Sequence, residues 1–408
     1  MTKLAIGAAV TCILALACGK GTAERGSHAQ TSSAVPPPEV RMEPPAVDEV
    51  DVFEQARRLG RGINIGNALD APSEGAWGVT IQESQFETIA AAGFDSIRLP
   101  VRWSAHADAS EPFTIEQSFF DRVDWAIAHA LGRGLAVVLD VHHFEEIYVD
   151  PAANQDRLFA LWEQLSEHYQ DYPKELFFEL LNEPNAALDA SIWNDFAADL
   201  VPLIRNKNPG RTLLIGGENW NSIHSLETLE LPENDRNIIA TFHYYEPFDF
   251  THQGASWVES PPPLGRAWPQ AEDEADVEQA FSAAVQWSVE QGRPIHLGEF
   301  GAIDLAEMDS RARWTSFVVE RAIESGIPFH YWEYESGFGA YDPAARTWRP
   351  QLIEALQSGP NAQLPLQQAA SGAALAPRAD SGDSGAAGVR DAGARDAGER
   401  DVGARDAG

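Results

Sequence analysis

Along the middle of the chain, short apolar runs alternate with amphipathic stretches. Eight runs read as strands, over residues 62–65, 96–99, 136–139, 176–181, 213–215, 238–242, 294–297 and 328–331. Helical period separates most of them. Phe119, Val123, Ala126, Ile127, Ala130 and Leu131 fall on one helix face, and Gly134 ends that run. Leu158, Leu161, Trp162, Leu165 and Tyr169 repeat the pattern, and Val285 and Val289 do so more weakly before Gly292 and Pro294. Eight strands alternating with helices predict a closed parallel α/β barrel of the TIM (β/α)8 type over residues 50–358. The long stretch before the seventh strand carries Phe248, Phe250, Trp257 and Trp268. An aromatic loop of that length in a compact domain is usually functional.

The flanks have a different composition. Lys3 precedes an apolar stretch over 4–17 that is too short for a comfortable membrane span, and Ala15-Leu16-Ala17 fits a cleavage site. Cys18-Gly19 follows, similar to a bacterial lipoprotein box except that Leu16 stands one place late. A signal over 1–18 is expected, with export and either lipid attachment at Cys18, to the outer membrane or cell surface, or secretion. Residues 19–49 read as a Pro/Ser/Gly-rich linker. Residues 359–408 read as a disordered low-complexity tail ending in Arg-Asp-Ala-Gly repeats from Arg390.

The formal charge is −33, from 29 Lys and Arg against 62 Asp and Glu. Such a surface repels phosphate backbones, so no nucleic-acid partner is expected. The only cysteines are Cys12 and Cys18, which leaves the folded region without a disulfide or thiolate metal site.

In a parallel barrel the strand C-termini build the functional face. Those ends deliver Asn67, Arg98, His142-His143, Asn182-Glu183, Glu218-Asn219-Trp220, His243-Tyr244-Tyr245, Glu299 and Trp332-Glu333. Taken singly each has a plain structural reading: Arg98 a buried ion-pair partner, His142 a hydrogen-bonded core histidine, Glu218 a loop cap. Their convergence on one rim is harder to explain that way, because buried charge is costly. A metal site at His142, His143 and His243 with Asp140 or Glu299 is the competing reading, and strand alternation opposes it by pointing adjacent histidines to opposite sides. No metal and no cofactor is expected.

Glu183 and Glu299 each end an apolar run, and two facing carboxyl groups are the working parts of a glycosidase. One must stay protonated to serve as donor, and the other must stay ionised to attack. Arg98 near the attacking carboxylate would keep it charged, and Tyr245 would orient it. Asn182 would hold the sugar 2-hydroxyl, and Trp332 offers a flat face to a pyranose.

These residues resemble glycoside hydrolase family five. The strings are 61–69 (RGINIGNAL), 96–100 (SIRLP), 140–143 (DVHH), Asn182-Glu183-Pro184, His243-Tyr244-Tyr245, Gly298-Glu299-Phe300 and Tyr331-Trp332-Glu333-Tyr334, in the family's order. The resemblance implies Glu183 as acid/base and Glu299 as nucleophile. Arg98, His142, Asn182, His243, Tyr245 and Trp332 would fill the remaining core positions, with a cis peptide after Trp332. It is similar above all to bacterial endoglucanases that also accept mannan, on 251–255 (THQGA), Trp257 and 336–342 (SGFGAYD). That implies sugar contacts at Asn67, Asp70, His143, Trp220, His252, Trp257, Trp332 and Glu333. Those relatives often carry glutamate where this chain has the shorter Asp70. The expected activity is a retaining endo-β-1,4-glucanase on a β-linked plant polysaccharide, acting as a monomer. A β-mannanase or dual-specificity enzyme is the alternative, and a non-catalytic carbohydrate-binding barrel is a remote one.

Overall fold

A computed structural model describes residues 50–359. The expected signal with Cys18, the linker over 19–49 and residues 360–408 of the expected tail lie outside them. Eight parallel strands close into a barrel in chain order: β1 (Arg61–Asn64), β2 (Ser96–Leu99), β3 (Ala136–Asp140), β4 (Leu176–Glu179), β5 (Leu213–Gly216), β6 (Ile238–Tyr244), β7 (Ile295–Phe300) and β8 (Phe329–Tyr331). β8 pairs with β1, so the barrel itself has no open edge. All eight expected strands are present. The seventh is the least accurate, running three residues past its expected end to Phe300, while in the fourth pairing stops at Glu179 and Leu180 and Leu181 lead into the loop that carries Glu183.

Helix α1 (Val52–Leu59) precedes the barrel, and α2 (Glu83–Ala91), α3 (Gln117–Leu131), α4 (Pro151–His168), α5 (Ala190–Arg205), α6 (Asp273–Gln291), α7 (Met308–Glu324) and α8 (Pro350–Leu356) surround it. Asp51 caps α1 by accepting the Phe53 and Glu54 N–H groups, and Asp150 caps α4 ahead of Pro151. Phe119, Val123, Ala126, Ile127 and Ala130 are buried in α3 as their spacing requires. Val289 is a correction: it is 59% exposed, because α6 buries the stripe Val277, Ala280, Phe281, Ala284 and Ser288 instead. Among the described residues no helix is long and apolar enough to cross a membrane.

The barrel interior is layered. At the bottom, Val52, Ala56 and Leu59 of α1 pack with Ala136, Val138, Phe177, Leu214 and Ile239, so α1 plugs the end where the strands begin. Above the plug lies a fully buried polar layer. Thr241 Oγ1 is 3.0 Å from His296 Nδ1, His296 Nε2 is 2.7 Å from His330 Nδ1, and His330 Nε2 is 2.9 Å from Ser96 Oγ. Burial drives both histidines well below their ordinary pKa, so they are neutral and share protons along the chain of bonds. The catalytic-face residues sit on the next layer, at the strand C-termini.

Leu59 has no exposed surface and belongs to the plug. Leu59→Ala should lower unfolding stability by about 2–5 kcal/mol. Urea denaturation should show a lower midpoint with an unchanged slope.

Candidate active site

The floor of the site is organised by Arg98, on β2. Its Nε and Nη2 donate to the two oxygens of Glu179 at 2.8 and 2.9 Å, a bidentate fork. Nη1 donates to Asn64 Oδ1 at 3.0 Å and to Glu299 Oε1 at 2.6 Å. Nη2 also reaches Asn182 Oδ1 and Asp140 Oδ2, each at 2.8 Å. Arg98, Asp140 and Glu179 are wholly buried. The structural and the chemical readings of Arg98 both hold: it is a buried ion-pair partner, and one of its partners is Glu299.

Glu299 enters this set through an irregularity. Between β6 and β7 the register runs Phe242 to Leu297, then His243 to Glu299, skipping Gly298. The extra residue works because a Cβ on Gly298 would stand 2.8 Å from Thr241 Oγ1 and 3.1 Å from His243 Nε2. His243 is thereby set between the two glutamates. Its Nδ1 lies 2.8 Å from Glu183 Oε1 and 3.7 Å from Glu299 Oε2. Tyr245 donates its hydroxyl to Glu299 Oε2 at 2.8 Å. A donor atom of each of Glu183, His243 and Glu299 falls within 4.8 Å of the other two.

The two carboxyls differ in surroundings. Burial pushes Glu183 up to about 7, with His143 and Arg98 opposing. Burial also raises Glu299, but His243, Arg98 and the Tyr245 hydroxyl pull the other way. Glu299 thus has two direct donors that favour its anion, whereas the direct partner of Glu183 is the His243 ring, whose own pKa burial lowers. Glu183 keeps a quarter of its side chain open to the cleft, on a left-handed backbone with φ 48°.

The other expected residues fall into three groups. His142, Asn182 and Trp332 line the floor. His142 Nδ1 is 2.7 Å from Asp140 Oδ2, which leaves Nε2 toward the cleft. Asn182 turns its oxygen to Arg98, leaving its amide N–H groups as the donors on offer. The Trp332–Glu333 peptide is cis, as the resemblance implied. The Trp332 ring lies so close to the loop after β1 that a Cβ on Gly66 would stand 2.6 Å from it.

A second group forms the walls. His143 and Asn67 are half-buried, both with positive φ. His252 is ringed by Phe248, Tyr245 and Phe338, and burial drives its pKa down to about 4, so it is neutral. Trp257 and Trp220 stand out on the rim at 63% and 55% exposure.

The third group corrects the sequence reading. Asp70 and Glu333 were expected to touch sugar, and neither has any exposed surface. Asp70 accepts the Asn67 and Ala68 N–H groups at 3.0 and 2.7 Å and so shapes the loop after β1. Its one-methylene-shorter side chain is used up in that brace. Burial pushes Glu333 up to about 8, so it is a neutral acid under the floor, with Oε1 3.4 Å from the Phe338 N–H.

Another correction concerns the histidine pair. His142 and His143 lie beyond the end of β3, so strand alternation does not part them, and their ring centroids are 4.6 Å apart. Donor atoms of Asp70, His142 and His143 lie within 4.8 Å of one another.

Sequence reasoning passed over Glu179, Asn64 and Asn221. A glutamate inside Leu176-Phe177-Phe178-Glu179-Leu180 was a visible signal, because an unpaired charge has no place in an apolar strand. Asn221 had no such signal. It ends a left-handed turn, Asn219–Asn221, with φ of 56°, 57° and 52°, whose Trp220 N–H donates to Pro184 O at 3.1 Å. The turn buries Asn221 with its Nδ2 3.5 Å from His243 Nε2.

Arg98→Leu would leave Glu179, Asp140 and Glu299 buried without their cation. Stability should fall by about 3–5 kcal/mol. The same substitution should protonate Glu299 at higher pH, seen as an upward shift of the acidic limb of any activity profile.

Residues 61–337 match the family described as Cellulase (glycosyl hydrolase family 5). Endoglucanase H of Acetivibrio thermocellus is 33% identical over 313 residues, covering 75% of this chain and 34% of that protein. Cellulase/esterase CelE of the same organism is 26% identical, covering 76% of this chain and 41% of its own length. The chain therefore spans about a third to two-fifths of these curated relatives. Thermotoga maritima Cel5A, solved in complex with mannotriose and with cellobiose, is 47% identical with a TM-score of 0.74, over 75% of this chain and 100% of that one. The match over most of the barrel, with Glu183 and Glu299 facing each other above Arg98, makes this chain a member of the cellulase family, glycosyl hydrolase family 5.

Proposed function

We propose that this chain is a retaining endo-β-1,4-glucanase, cleaving cellulose-type or mixed-linkage β-glucan through a covalent glycosyl-enzyme. The observation that carries the reading is the spacing and inequality of the two carboxyls. Their nearest oxygens lie within 4.8 Å. That suits direct attack by one of them, since inverting enzymes hold their carboxyls roughly 6.5–9.5 Å apart to admit a water.

In the first step Glu299 attacks the anomeric carbon while Glu183 gives its proton to the departing glycosidic oxygen. The C–O bond to the leaving sugar breaks, and an ester to Glu299 forms. Esterification removes the negative charge on Glu299, so Glu183 can hold its own charge more easily. Glu183 then takes a proton from water, whose oxygen attacks the anomeric carbon and returns Glu299 as a carboxylate. Arg98 and Tyr245 hold Glu299 ionised and aligned, His243 spaces the pair, and Asn182 presents an N–H to the sugar beside the reacting carbon.

Activity on mannan is the second reading, favoured by the mannotriose complex of the Thermotoga maritima relative. The site is complete within one chain, which supports action as a monomer. Export, with lipid attachment at Cys18 or secretion, is proposed on the apolar stretch and Cys18-Gly19 alone. Cys18→Ser should move the protein from the membrane fraction to the soluble one if the lipid is its anchor.

Purified protein should release reducing sugar from carboxymethylcellulose, barley β-glucan and glucomannan. Turnover of none of them would end the proposal. Glu183→Gln and Glu299→Gln should each lower kcat by about a thousand-fold or more. The first product seen by NMR should keep the β-anomer, and an α-anomer would contradict retention.

The proton on Glu183 sets a further expectation. With its pKa at about 7, the productive state, Glu183 protonated and Glu299 ionised, is lost as pH rises. Activity should fall about ten-fold per pH unit above that point.

A further inference from the structure

His142 and His143 leave the end of β3 side by side. His143 takes a left-handed backbone, φ 49°, and its ring lies 4.6 Å from that of His142 instead of across the strand. Each ring is anchored through Nδ1. His142 Nδ1 lies 2.7 Å from Asp140 Oδ2, and His143 Nδ1 lies 3.4 Å from Glu145 Oε1 on the short helix Glu145–Val149. An ionised carboxylate only accepts, so in the neutral rings the hydrogen sits on Nδ1 and Nε2 offers a lone pair. His143 Nε2 stands 4.0 Å from Asp70 Oδ2. One ligand atom from each of Asp70, His142 and His143 falls within 4.8 Å of the other two.

Two imidazole nitrogens and a carboxylate, each held by a further partner, form the ligand set of a transition-metal site with open positions. Asp140 and Glu145 back the histidines. The Asn67 and Ala68 N–H groups use one lone pair on each oxygen of Asp70 and leave another free. Ligand atoms that share an ion at about 2.1 Å, set tetrahedrally, stand about 3.4 Å apart. His142 and Asp70 are buried and fixed, and His143, with 32% of its side chain exposed, closes the difference by a small ring rotation. Asp70, Glu145 and Glu183 all act on His143 as negative neighbours, and the whole chain carries a formal charge of −33. The other candidate cluster among the described residues is Glu183, His243 and Glu299. It suits an ion less well, because Arg98 stands 2.6 Å from Glu299 and His243 Nδ1 already serves Glu183 at 2.8 Å.

We propose that Asp70, His142 and His143 bind a divalent transition-metal ion of the Zn2+ or Ni2+ class, and that this ion blocks the cleft reversibly. The nitrogen donors select against Mg2+ and Ca2+, which prefer oxygen. The ion takes up the two Nε2 atoms, so a sugar loses that wall. It is an inhibitor, and no step of the hydrolysis passes through it. The blocking role rests on the glycanase reading above; the binding does not.

Calorimetric titration of the protein with ZnCl2 should find one tight site per chain, for which MgCl2 and CaCl2 do not compete. His143→Gln should weaken Zn2+ affinity about a hundred-fold or more. Glu299→Gln, which removes a ligand of the other cluster, should change it by less than about three-fold. Without any variant, one equivalent of Zn2+ should perturb the ring NMR signals of two histidines in the wild-type protein. On barley β-glucan, Zn2+ should raise KM at unchanged kcat, and EDTA should restore it. No Zn2+ uptake, uptake unchanged in His143→Gln, uptake lost in Glu299→Gln, or perturbation of fewer than two rings overturns the site. A fall in kcat at constant KM overturns the blocking role. Wild-type protein that turns over no glucan strikes the glycanase reading instead, and calorimetry and NMR still decide the ion site.

Discussion

The site depends on one buried guanidinium. Arg98 has no exposed surface and reaches groups on β1, β3, β4 and β7, together with the loop after β4. A charge in that position is tolerable only if every donor finds a partner, and Arg98 has three carboxylates and two amides around it. The fork to Glu179 fixes the plane of the guanidinium, and the plane decides where Glu299 and Asn182 can sit. Arginine suits this place and lysine does not, because only a rigid planar fork can address several acceptors in fixed directions.

The same arrangement separates the two glutamates. Around Arg98 the carboxylates outnumber the cation, so the buried region carries surplus negative charge. Burial drives Asp140 up to about 6 and Glu183 up to about 7. Glu299 escapes as the proton carrier because Arg98 and Tyr245 bond its two oxygens directly. The proton resides on the carboxyl that lacks such donors, and that carboxyl faces the open cleft. Acid and nucleophile are thus distinguished by surroundings rather than by residue type, since both are glutamates on facing walls.

Much of this was legible in the chain. The eight apolar runs located the strands to within three residues at every end, since buried parallel strands read as unbroken apolar segments. The strand ends named most of the floor. Errors arose where the backbone leaves regular geometry. His142 and His143 follow an apolar strand without a break in the sequence, yet β3 ends at Asp140. Asp70 and Glu333 were placed in the cleft by resemblance, and burial shows them bracing it from behind. Asn221 owes its place to a left-handed turn that no glycine announces. The buried His296–His330 pair went unread, because a histidine in an apolar strand carries no sign of which neighbour will satisfy it.

Sequence alone determined the alternation of strands and helices, the barrel that follows from it, and the identity of the two glutamates at strand ends. These are consequences of periodicity and local composition, which short windows of sequence contain. Tertiary structure decided which carboxyl keeps its proton. It also decided that Arg98 joins Glu179 to Glu299. Those facts depend on distances between residues remote in the chain and on how far each is removed from water, and both exist only once the barrel has closed.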